Sequence, residues 1–210
     1  MREGGAGESS AGIEQLLEHP MVARLARSLV ERVPVRLAIE RNTRRAAVAL
    51  ILRLEQGDKL ELLMIKRAVF EGDPWSGHIA LPGGREEPGD LSLEETVIRE
   101  TREETSLDLA RDGRIIGRLD DLMPLSAPLP PITIAPFVAV YGASGVITLS
   151  DEVAEAFWVP VDALRDPRAS REIVLELTGG ARRVLSFEHE GRIIWGLTER
   201  ILRQFLELVG

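Results

Sequence analysis

One stretch of the chain, residues 83 to 107, constrains the fold and the chemistry more than any other. It reads GGREEPGDLSLEETVIRETREETSL, a glycine turn followed by a segment rich in glutamate. Ser92 is a favourable N-cap residue and Glu95 follows three positions later, which is the capping-box pattern that opens a helix. The stretch therefore predicts a glycine turn that leads into a helix from about Leu93 to about Thr105.

Three carboxylates of this helix are predicted to share one face. At about 100° per residue, Glu100, Glu103 and Glu104 fall within roughly 100° of arc. Glu100 and Glu104 repel each other at i,i+4 unless a cation lies between them. Clustered oxygen ligands are what Mg²⁺ or Mn²⁺ prefers. The helix therefore predicts a site for a divalent cation, with these three glutamates as ligands.

The flanking residues favour a metal site over a solvated acidic face, which is the usual role of an isolated Arg-Glu-x-x-Glu-Glu sequence. The Pro-Gly-Gly turn at residues 82–84 lets the backbone approach a ligand closely, so the Gly83 carbonyl is a further candidate metal ligand. Arg99 precedes Glu103 by one turn and is predicted to hold a carboxylate in a fixed orientation.

The same stretch resembles the Nudix box, the signature of the Nudix hydrolase family. The pattern is Gly, five residues, Glu, seven residues, Arg-Glu, an apolar residue, any residue, Glu-Glu, any residue, Gly and an apolar residue. It is matched here by Gly84, Arg99, Glu100, Glu103, Glu104 and Leu107. Asp90 replaces the first Glu and is separated from Arg99 by eight residues, Thr101 replaces the apolar residue, and Ser106 replaces the second Gly. These departures predict a less well capped helix end and an altered Asp90–Arg99 contact.

The resemblance implies an α+β fold, a Nudix-type α/β/α sandwich with a mixed central sheet. It also implies an enzyme that hydrolyses a phosphoanhydride bond in a nucleoside-diphosphate-linked substrate with Mg²⁺ or Mn²⁺. Glu103 is the first candidate for the general base, with Arg99 beside it as a further catalytic candidate. Glu152 is the rival base, because related enzymes often place such a group in the loop after a strand. A solvated turn is an equally good interpretation of Asp151 and Glu152.

Composition excludes several other chemistries. The chain has 210 residues, of which 44% are hydrophobic and 29% charged, as expected for one globular domain. It has no cysteine, so oxygen or histidine ligands must hold any metal. A net charge of −8 is unfavourable for binding nucleic acid. We see no apolar run of roughly 18 residues and no secretory signal, so we expect a cytoplasmic protein without a membrane partner.

Periodicity divides the chain into three parts. Residues 1–11 are small and polar, which predicts a disordered tail. Residues 12–43 carry apolar residues at helical spacing, and Pro20 is expected to open a second helix there. This part is predicted to be a helical extension that packs on the domain or on a second subunit of a homodimer. Residues 44–210 are predicted to form the Nudix domain.

The domain is predicted to contain strands mixed with a few helices. Two strands, Ala46–Leu54 and Leu60–Lys66, are predicted to form a hairpin through a turn at residues 56–59. Further strands are predicted at His78–Leu81, Arg114–Leu119, Ile132–Tyr141 and Phe157–Val159, and in a small meander at Ile173–Leu177, Arg183–Glu188 and Arg192–Trp195. A helical turn is predicted at Val161–Leu164, and an amphipathic helix at Gly196–Val209.

Residues 63–84 resemble the signature of the coenzyme A diphosphatase branch of the family. The signature reads Leu-Leu-Thr-x-Arg-Ser/Ala, three residues, Arg, three residues, Gly, three residues, Phe-Pro-Gly-Gly. The matches are Leu63, Arg67, Ala68, Gly77, Pro82, Gly83 and Gly84. The second arginine is missing, Gly72 stands near its place, and the segment to Gly77 is one residue longer. The resemblance implies coenzyme A or a derivative as substrate, with ADP-ribose, nucleotide sugars and nucleoside triphosphates as alternatives.

Four residues of this region are candidate substrate contacts. Arg67 is expected to bind a phosphate with two hydrogen bonds, and Gly84 to let the backbone approach the ligand. Trp75 either stacks on adenine or anchors its turn, and His78 is either a substrate contact or structural. Two other functions stay open. A Nudix-fold module that binds a nucleotide without hydrolysing it usually lacks a box glutamate, and a partner protein acting through residues 12–33 would leave the box unexplained.

Overall fold

The computed structural model of the protein describes residues 4–38, 42–56, 58–73, 75–124, 131–177 and 180–210. Six helices and ten strands are assigned in these residues. The helices are α1 (Gly4–Glu18), α2 (Pro20–Glu31), α3 (Leu93–Thr105), α4 (Leu109–Asp112), α5 (Val161–Arg165) and α6 (Gly196–Val209). The strands are β1 (Arg44–Glu55), β2 (Lys59–Arg67), β3 (Ile79–Ala80), β4 (Gly83–Arg85), β5 (Gly113–Arg118), β6 (Ile132–Tyr141), β7 (Val153–Pro160), β8 (Ser170–Leu177), β9 (Gly180–His189) and β10 (Arg192–Trp195).

Strand β1 organises the main sheet because it pairs along both of its edges. The sheet has seven strands in the order β3-β2-β1-β6-β5, with β4 also beside β1 and β7 beside β2. The predicted hairpin of β1 and β2 is confirmed, with Leu52 opposite Leu62. On its other edge β1 runs parallel to β6, with Val48 opposite Pro136. The sheet is therefore mixed, as the resemblance implied.

Alternation along β1 sends its side chains into two separate cores. Leu50 and Leu52 lie in the core that the sheet shares with α1, α2 and α6. Ala47, Ala49 and Ile51 lie in the core beneath α3. Successive side chains of a strand point to opposite faces, so one apolar strand serves both layers. The sheet is covered on both faces by helices, and the predicted α+β fold with an α/β/α sandwich is confirmed.

The N-terminal helices differ from the sequence prediction at their start. Disorder was predicted for residues 1–11, but α1 already begins at Gly4, so this prediction is wrong from residue 4 onward. Ser9 is buried and its hydroxyl donates to Asp112 Oδ1 at 2.8 Å. Gly12 lies so close to Gly142 that a Cβ would overlap its carbonyl. Small residues therefore serve close packing here, whereas their composition alone suggested a solvated tail.

The remainder of the extension follows the prediction. Pro20 is the first residue of α2, a position where its missing N–H costs nothing. Val22 and Leu25 of α2 are fully buried in the core that contains α6. The extension thus packs on the domain.

The predicted meander is a second, three-stranded antiparallel sheet in the order β10-β9-β8. Its three strands and α6 match the predicted elements to within a few residues. Strand β7 is longer than predicted, because it pairs with β2 along Val153–Pro160. Helix α4 was not predicted. Among the described residues, no helix is both long and apolar enough to cross a membrane.

Candidate active site

Helix α3 begins as its capping residues predict. The Ser92 hydroxyl accepts a hydrogen bond from the Glu95 backbone N–H at 3.2 Å. The Glu95 carboxylate accepts in return from the Leu91 N–H at 2.8 Å, one residue earlier than the capping box requires. The helix runs from Leu93 to Thr105, which confirms the predicted limits.

Arg99 ties the loop before α3 to the helix. Its Nε and Nη2 donate to the two carboxylate oxygens of Asp90, each at 3.0 Å, and Nη2 also donates to the Arg85 carbonyl at 3.0 Å. Asp90 further accepts from the Glu87 N–H and the Thr96 hydroxyl. The Arg99 guanidinium and these donors hold the pKa of Asp90 well below its usual range. The shorter side chain and the extra residue therefore leave the Asp90–Arg99 pair intact.

The remaining donor of Arg99 faces the acidic residues of the helix. Nη1 donates to Glu100 Oε1 at 3.1 Å and to Glu103 Oε2 at 3.0 Å. The predicted contact between Arg99 and Glu103 is thus present. The Glu103 side chain is 55% exposed, so this carboxylate lies at the rim of the site.

Glu104 lies in a very different environment. It is only 4% exposed, and its Oε2 accepts a hydrogen bond from the Gly83 N–H at 2.8 Å. Burial, together with the charges of Glu100 and Glu152, raises the pKa of Glu104 to about 8, against the hydrogen bond from Gly83 and the charge of Arg67. Gly83 contacts the site through its N–H, and metal ligation by its carbonyl stays a prediction.

Glu100 fills the space that the second glycine leaves open. A Cβ on Gly84 would overlap the Glu100 carboxylate. Burial raises the pKa of Glu100, Arg99 opposes this effect, and the charges of Glu103 and Glu152 add to it. Strand β4 holds Gly84 opposite Ala47 of β1, so the sheet positions the glycine turn against α3. Gly84 is in contact with a box glutamate, and its role in substrate binding stays a prediction.

A loop after β6 completes the acidic group. The Ser150 N–H donates to the Glu104 carbonyl at 3.2 Å and the Thr148 N–H to the Thr105 carbonyl at 3.1 Å. Ser106 adopts the left-handed conformation at the C-cap (φ 61°), and its hydroxyl donates to the Thr148 carbonyl. The serine therefore closes the helix where the family pattern has glycine. These bonds hold Glu152 so close that its charge raises the pKa of Glu100 and of Glu104.

Arg67 approaches the group from β2. Its charge lowers the pKa of Glu104, and its Nη2 donates to Asp73 Oδ2 at 3.0 Å. Its Nε is buried and has no hydrogen-bond partner among the described residues. A buried donor without a partner is costly, so it is a candidate contact for a bound anion.

Asp73 is the residue of this region that sequence reasoning missed. Besides Arg67, it accepts from the Trp75 N–H at 3.1 Å. Burial alone would raise the pKa of Asp73, but the hydrogen bonds from Trp75 and Arg67 bring it below its ordinary value. The Asp-Pro-Trp turn was its only signal in the sequence.

The other two predicted substrate contacts are tied into the protein. Trp75 is half-buried and held through its N–H. The His78 ring lies 4.7 Å from the Trp195 ring, centroid to centroid. Burial lowers the pKa of His78, which the charge of Asp73 partly offsets. For His78 the structure favours a packing role, and substrate contact by either residue stays a prediction.

The structure places the three glutamates that were predicted to hold one metal in different environments. Glu103 is exposed and paired with Arg99, whereas Glu104 is buried against Gly83. Among the residues that the structure describes, no group of three His, Asp or Glu side chains is arranged to hold an ion. Glu100, which is partly buried, and Glu104, which is buried, nevertheless provide two oxygen-donor side chains that repel each other. That donor set fits a divalent cation, which would relieve the repulsion.

Comparison with known proteins identifies the family. The NUDIX domain profile matches residues 43–177, well over half of the chain. An uncharacterized Nudix hydrolase, NudL of Yersinia enterocolitica, is 34% identical over 140 residues, which are 64% of this chain and 67% of NudL. An uncharacterized protein of Schizosaccharomyces pombe is 30% identical over 152 residues, which are 63% of this chain. The chain spans about half of that relative, 46% of its length.

A solved structure agrees with the fold. The crystal structure of a MutT/nudix family protein from Enterococcus faecalis superposes with a TM-score of 0.55 and 19% identity, over 95% of this chain and 74% of that protein. At this identity the superposition concerns the fold alone. Because the domain profile covers the glycine turn, α3 and the sheet that holds them, the chain belongs to the NUDIX domain family.

Proposed function

We propose that this protein hydrolyses a phosphoanhydride bond in a nucleoside-diphosphate-linked substrate, coenzyme A or a coenzyme A derivative, in the presence of Mg²⁺ or Mn²⁺. One observation carries the proposal: the carboxylates of Glu100 and Glu104 lie against the glycine turn with little solvent, beside the charge of Glu152. A fold gains no stability from such an arrangement, so it indicates a function.

Glu100 and Glu104 are the residues that would hold the metal, with Glu103 and Glu152 at the rim. Bound there, Mg²⁺ or Mn²⁺ supplies charge neutralisation for the diphosphate and lowers the pKa of coordinated water. Arg67 is placed to bind a phosphate oxygen, because its buried Nε has no partner among the described residues and a guanidinium suits phosphate geometry.

In the proposed reaction the oxygen of water bonds to one phosphorus of the diphosphate. The bond from that phosphorus to the bridging oxygen breaks, and the bridging oxygen leaves with the other phosphate. The proton of the water passes to a carboxylate. Glu103 is the first candidate for this role, and its pair with Arg99 fixes its orientation. Glu152 is the rival, because its charge raises the pKa of both Glu100 and Glu104 and it therefore lies near them.

The resemblance of residues 63–84 to the coenzyme A diphosphatase signature supports coenzyme A as the substrate. Gly72 weakens that support, because it stands near the place of a signature arginine. ADP-ribose, nucleotide sugars and nucleoside triphosphates are the alternatives, as is a module that binds a nucleotide without hydrolysing it. The three box glutamates Glu100, Glu103 and Glu104 are present, which favours hydrolysis. We also propose that the functional domain extends beyond the profile match to residue 210, because Phe205 of α6 is fully buried in a core beside the sheet.

A substrate panel tests this proposal. Coenzyme A, ADP-ribose, a nucleotide sugar and dGTP are incubated with the protein and with Mg²⁺ or Mn²⁺, and the products are separated by chromatography. We expect coenzyme A to give 4′-phosphopantetheine and adenosine 3′,5′-bisphosphate faster than the others react. Preference for another member of the panel would refute the coenzyme A assignment, and inert substrates with both metals would favour the binding module.

A further inference from the structure

The loop between β2 and β3, residues 67 to 78, is tied together at its base and across its middle. The Arg67 N–H donates to the His78 carbonyl at 3.0 Å and closes the base. Within the loop, the Asp73 N–H donates to the Phe70 carbonyl and the Ser76 N–H to the Asp73 carbonyl. These hydrogen bonds hold the backbone of the loop residues that the structure describes, 67–73 and 75–78, and so fix where their side chains begin.

The backbone of Phe70 is held most firmly. The Ser76 hydroxyl accepts from the Phe70 N–H at 2.6 Å and donates to the Phe70 carbonyl at 3.0 Å. Phe70 is nevertheless 48% exposed as a residue, and Val69 is 79% exposed. Within the described part of the chain, Phe70 is the only aromatic residue in the exposed class. Two adjacent apolar side chains, those of Val69 and Phe70, are thus presented to solvent on a backbone that is held in place.

The same loop begins at the candidate active site. The Ala68 N–H donates to the Glu152 carbonyl at 2.8 Å. The charge of Arg67 lowers the pKa of Glu104, so Arg67 also lies near the acidic group. Phe70 is three residues from Arg67, so their Cα atoms are at most about 10 Å apart. A ligand with its diphosphate at Arg67 and the glutamates would have its next few atoms within reach of Val69 and Phe70.

We propose that Val69 and Phe70 form an apolar lip that selects substrates whose distal phosphate carries a branched alkyl group rather than a sugar. This inference rests on the proposed function and deepens it, because it names the part of the substrate that the loop recognises. The pantetheine arm of coenzyme A begins with two methyl groups on a carbon close to its phosphate. The corresponding part of ADP-ribose is a polyhydroxylated ring, which gains nothing from an apolar surface.

Two matched ligands isolate this contact. Dephospho-coenzyme A and ADP-ribose share the adenosine diphosphate portion and differ only beyond it. Their dissociation constants are measured by isothermal titration calorimetry in EDTA, and again with Ca²⁺, which takes the same oxygen ligands as Mg²⁺. We expect the protein to bind dephospho-coenzyme A about tenfold more tightly, which corresponds to ~1.4 kcal/mol. In Phe70→Ser and Val69→Ser the preference should fall to about twofold or less, through weaker binding of dephospho-coenzyme A.

Val30→Ser is the matched control, because Val30 is an exposed valine on α2, outside the loop. It should keep the full preference. Equal affinity for the two ligands in the unaltered protein, binding of neither, or an unchanged preference in Phe70→Ser would overturn the lip. The outcome is independent of turnover. If coenzyme A is hydrolysed but dephospho-coenzyme A is not preferred, the lip is refuted and the proposed function stands. If dephospho-coenzyme A is preferred but coenzyme A is not hydrolysed, the proposed function is refuted and the lip stands.

Discussion

At the two ends of helix α3, the entry and the exit, carboxylates lie in opposite electrostatic environments. At the entry, Asp90 receives two hydrogen bonds from Arg99 and others from its own loop, and its pKa is held well below the usual range. At the exit, Glu104 is buried with a hydrogen bond from Gly83, and its pKa is raised to about 8. One carboxylate is stabilised in its charged form, and the other is destabilised.

The difference separates a structural charge from a functional one. A carboxylate that is fully compensated within the protein holds the loop and needs no ligand. A buried carboxylate beside other negative charges costs stability until a cation or a proton compensates it. The entry of α3 therefore fixes the geometry, and the exit keeps a site where binding energy can be gained. Three experiments test this division.

The largest expected effect is the loss of activity in Glu104→Gln. The amide keeps an acceptor for the Gly83 N–H but removes the charge, so the fold should persist while the candidate metal site loses a ligand. We expect turnover of coenzyme A with Mg²⁺ to fall at least about 100-fold. Glu94→Gln, an exposed residue in the first turn of the same helix, is the control and should stay near full activity. Near-normal turnover in Glu104→Gln would remove Glu104 from the site.

Sequence reasoning predicted the α3 region well because its signals are local. The cap at Ser92, the end of the helix and the Arg99–Glu103 contact depend on spacings of a few residues. The opposite environments of Glu103 and Glu104 were not predictable, because Arg99 holds one of them and the glycine turn buries the other. A helical wheel places neighbouring carboxylates on a face but does not include the strands and loops that cover part of it.

Predictions elsewhere failed where contacts are distant in sequence. The start of α1 was read as a disordered tail, although Ser9 is buried through a bond to Asp112. The link between Arg67 and Asp73 was missed, because a turn sequence does not show which cation faces it. The strands of the hairpin and the meander were predicted, since each pairs with its neighbour in sequence.

The second effect is a stability that falls with pH in the metal-free protein. The pKa of Glu104 is about 8 in the fold against an ordinary value of 4.5, so between these values the folded state binds more protons than the unfolded state. The free energy of unfolding should therefore decrease as pH rises from 5 to 8, by roughly 3 kcal/mol from Glu104. Urea unfolding in EDTA at several pH values measures it.

Two comparisons assign that slope to Glu104. Glu104→Gln should lose most of the decrease, and Mn²⁺ should restore stability to the unaltered protein at pH 8. His78, whose pKa is lowered by burial, contributes in the opposite direction, because stability rises as pH passes its unfolded pKa. That contribution is the same in both proteins and cancels in their difference. An identical pH dependence in the two proteins would contradict the burial of an uncompensated charge at the exit of α3.

The smallest effect is expected at the entry, in Asp90→Asn. The change removes the charge that Arg99 binds with two donors, and we expect a loss of about 1 to 2 kcal/mol in the free energy of unfolding at pH 7. Because the folded pKa of Asp90 is lowered, its contribution is present above the unfolded pKa and is lost as pH falls below it. The difference between the unfolding free energies of the two proteins should therefore narrow steadily as pH falls from about 4 to about 2, without vanishing in that range.

Asp162→Asn is the control for this pair. Asp162 forms an ion pair with Arg165 at 3.3 Å, but its side chain is 85% exposed, so its loss should change stability by well under about 1 kcal/mol. Asp90→Asn should also reduce turnover far less than Glu104→Gln, because Arg99 keeps its contacts with Glu100 and Glu103. If Asp90→Asn instead abolished turnover and left stability unchanged, the entry of α3 would be functional, which contradicts the structural role assigned to it. A loss of both together would mean that Arg99 couples the two ends, so that the geometry fixed at the entry is itself required for the chemistry at the exit.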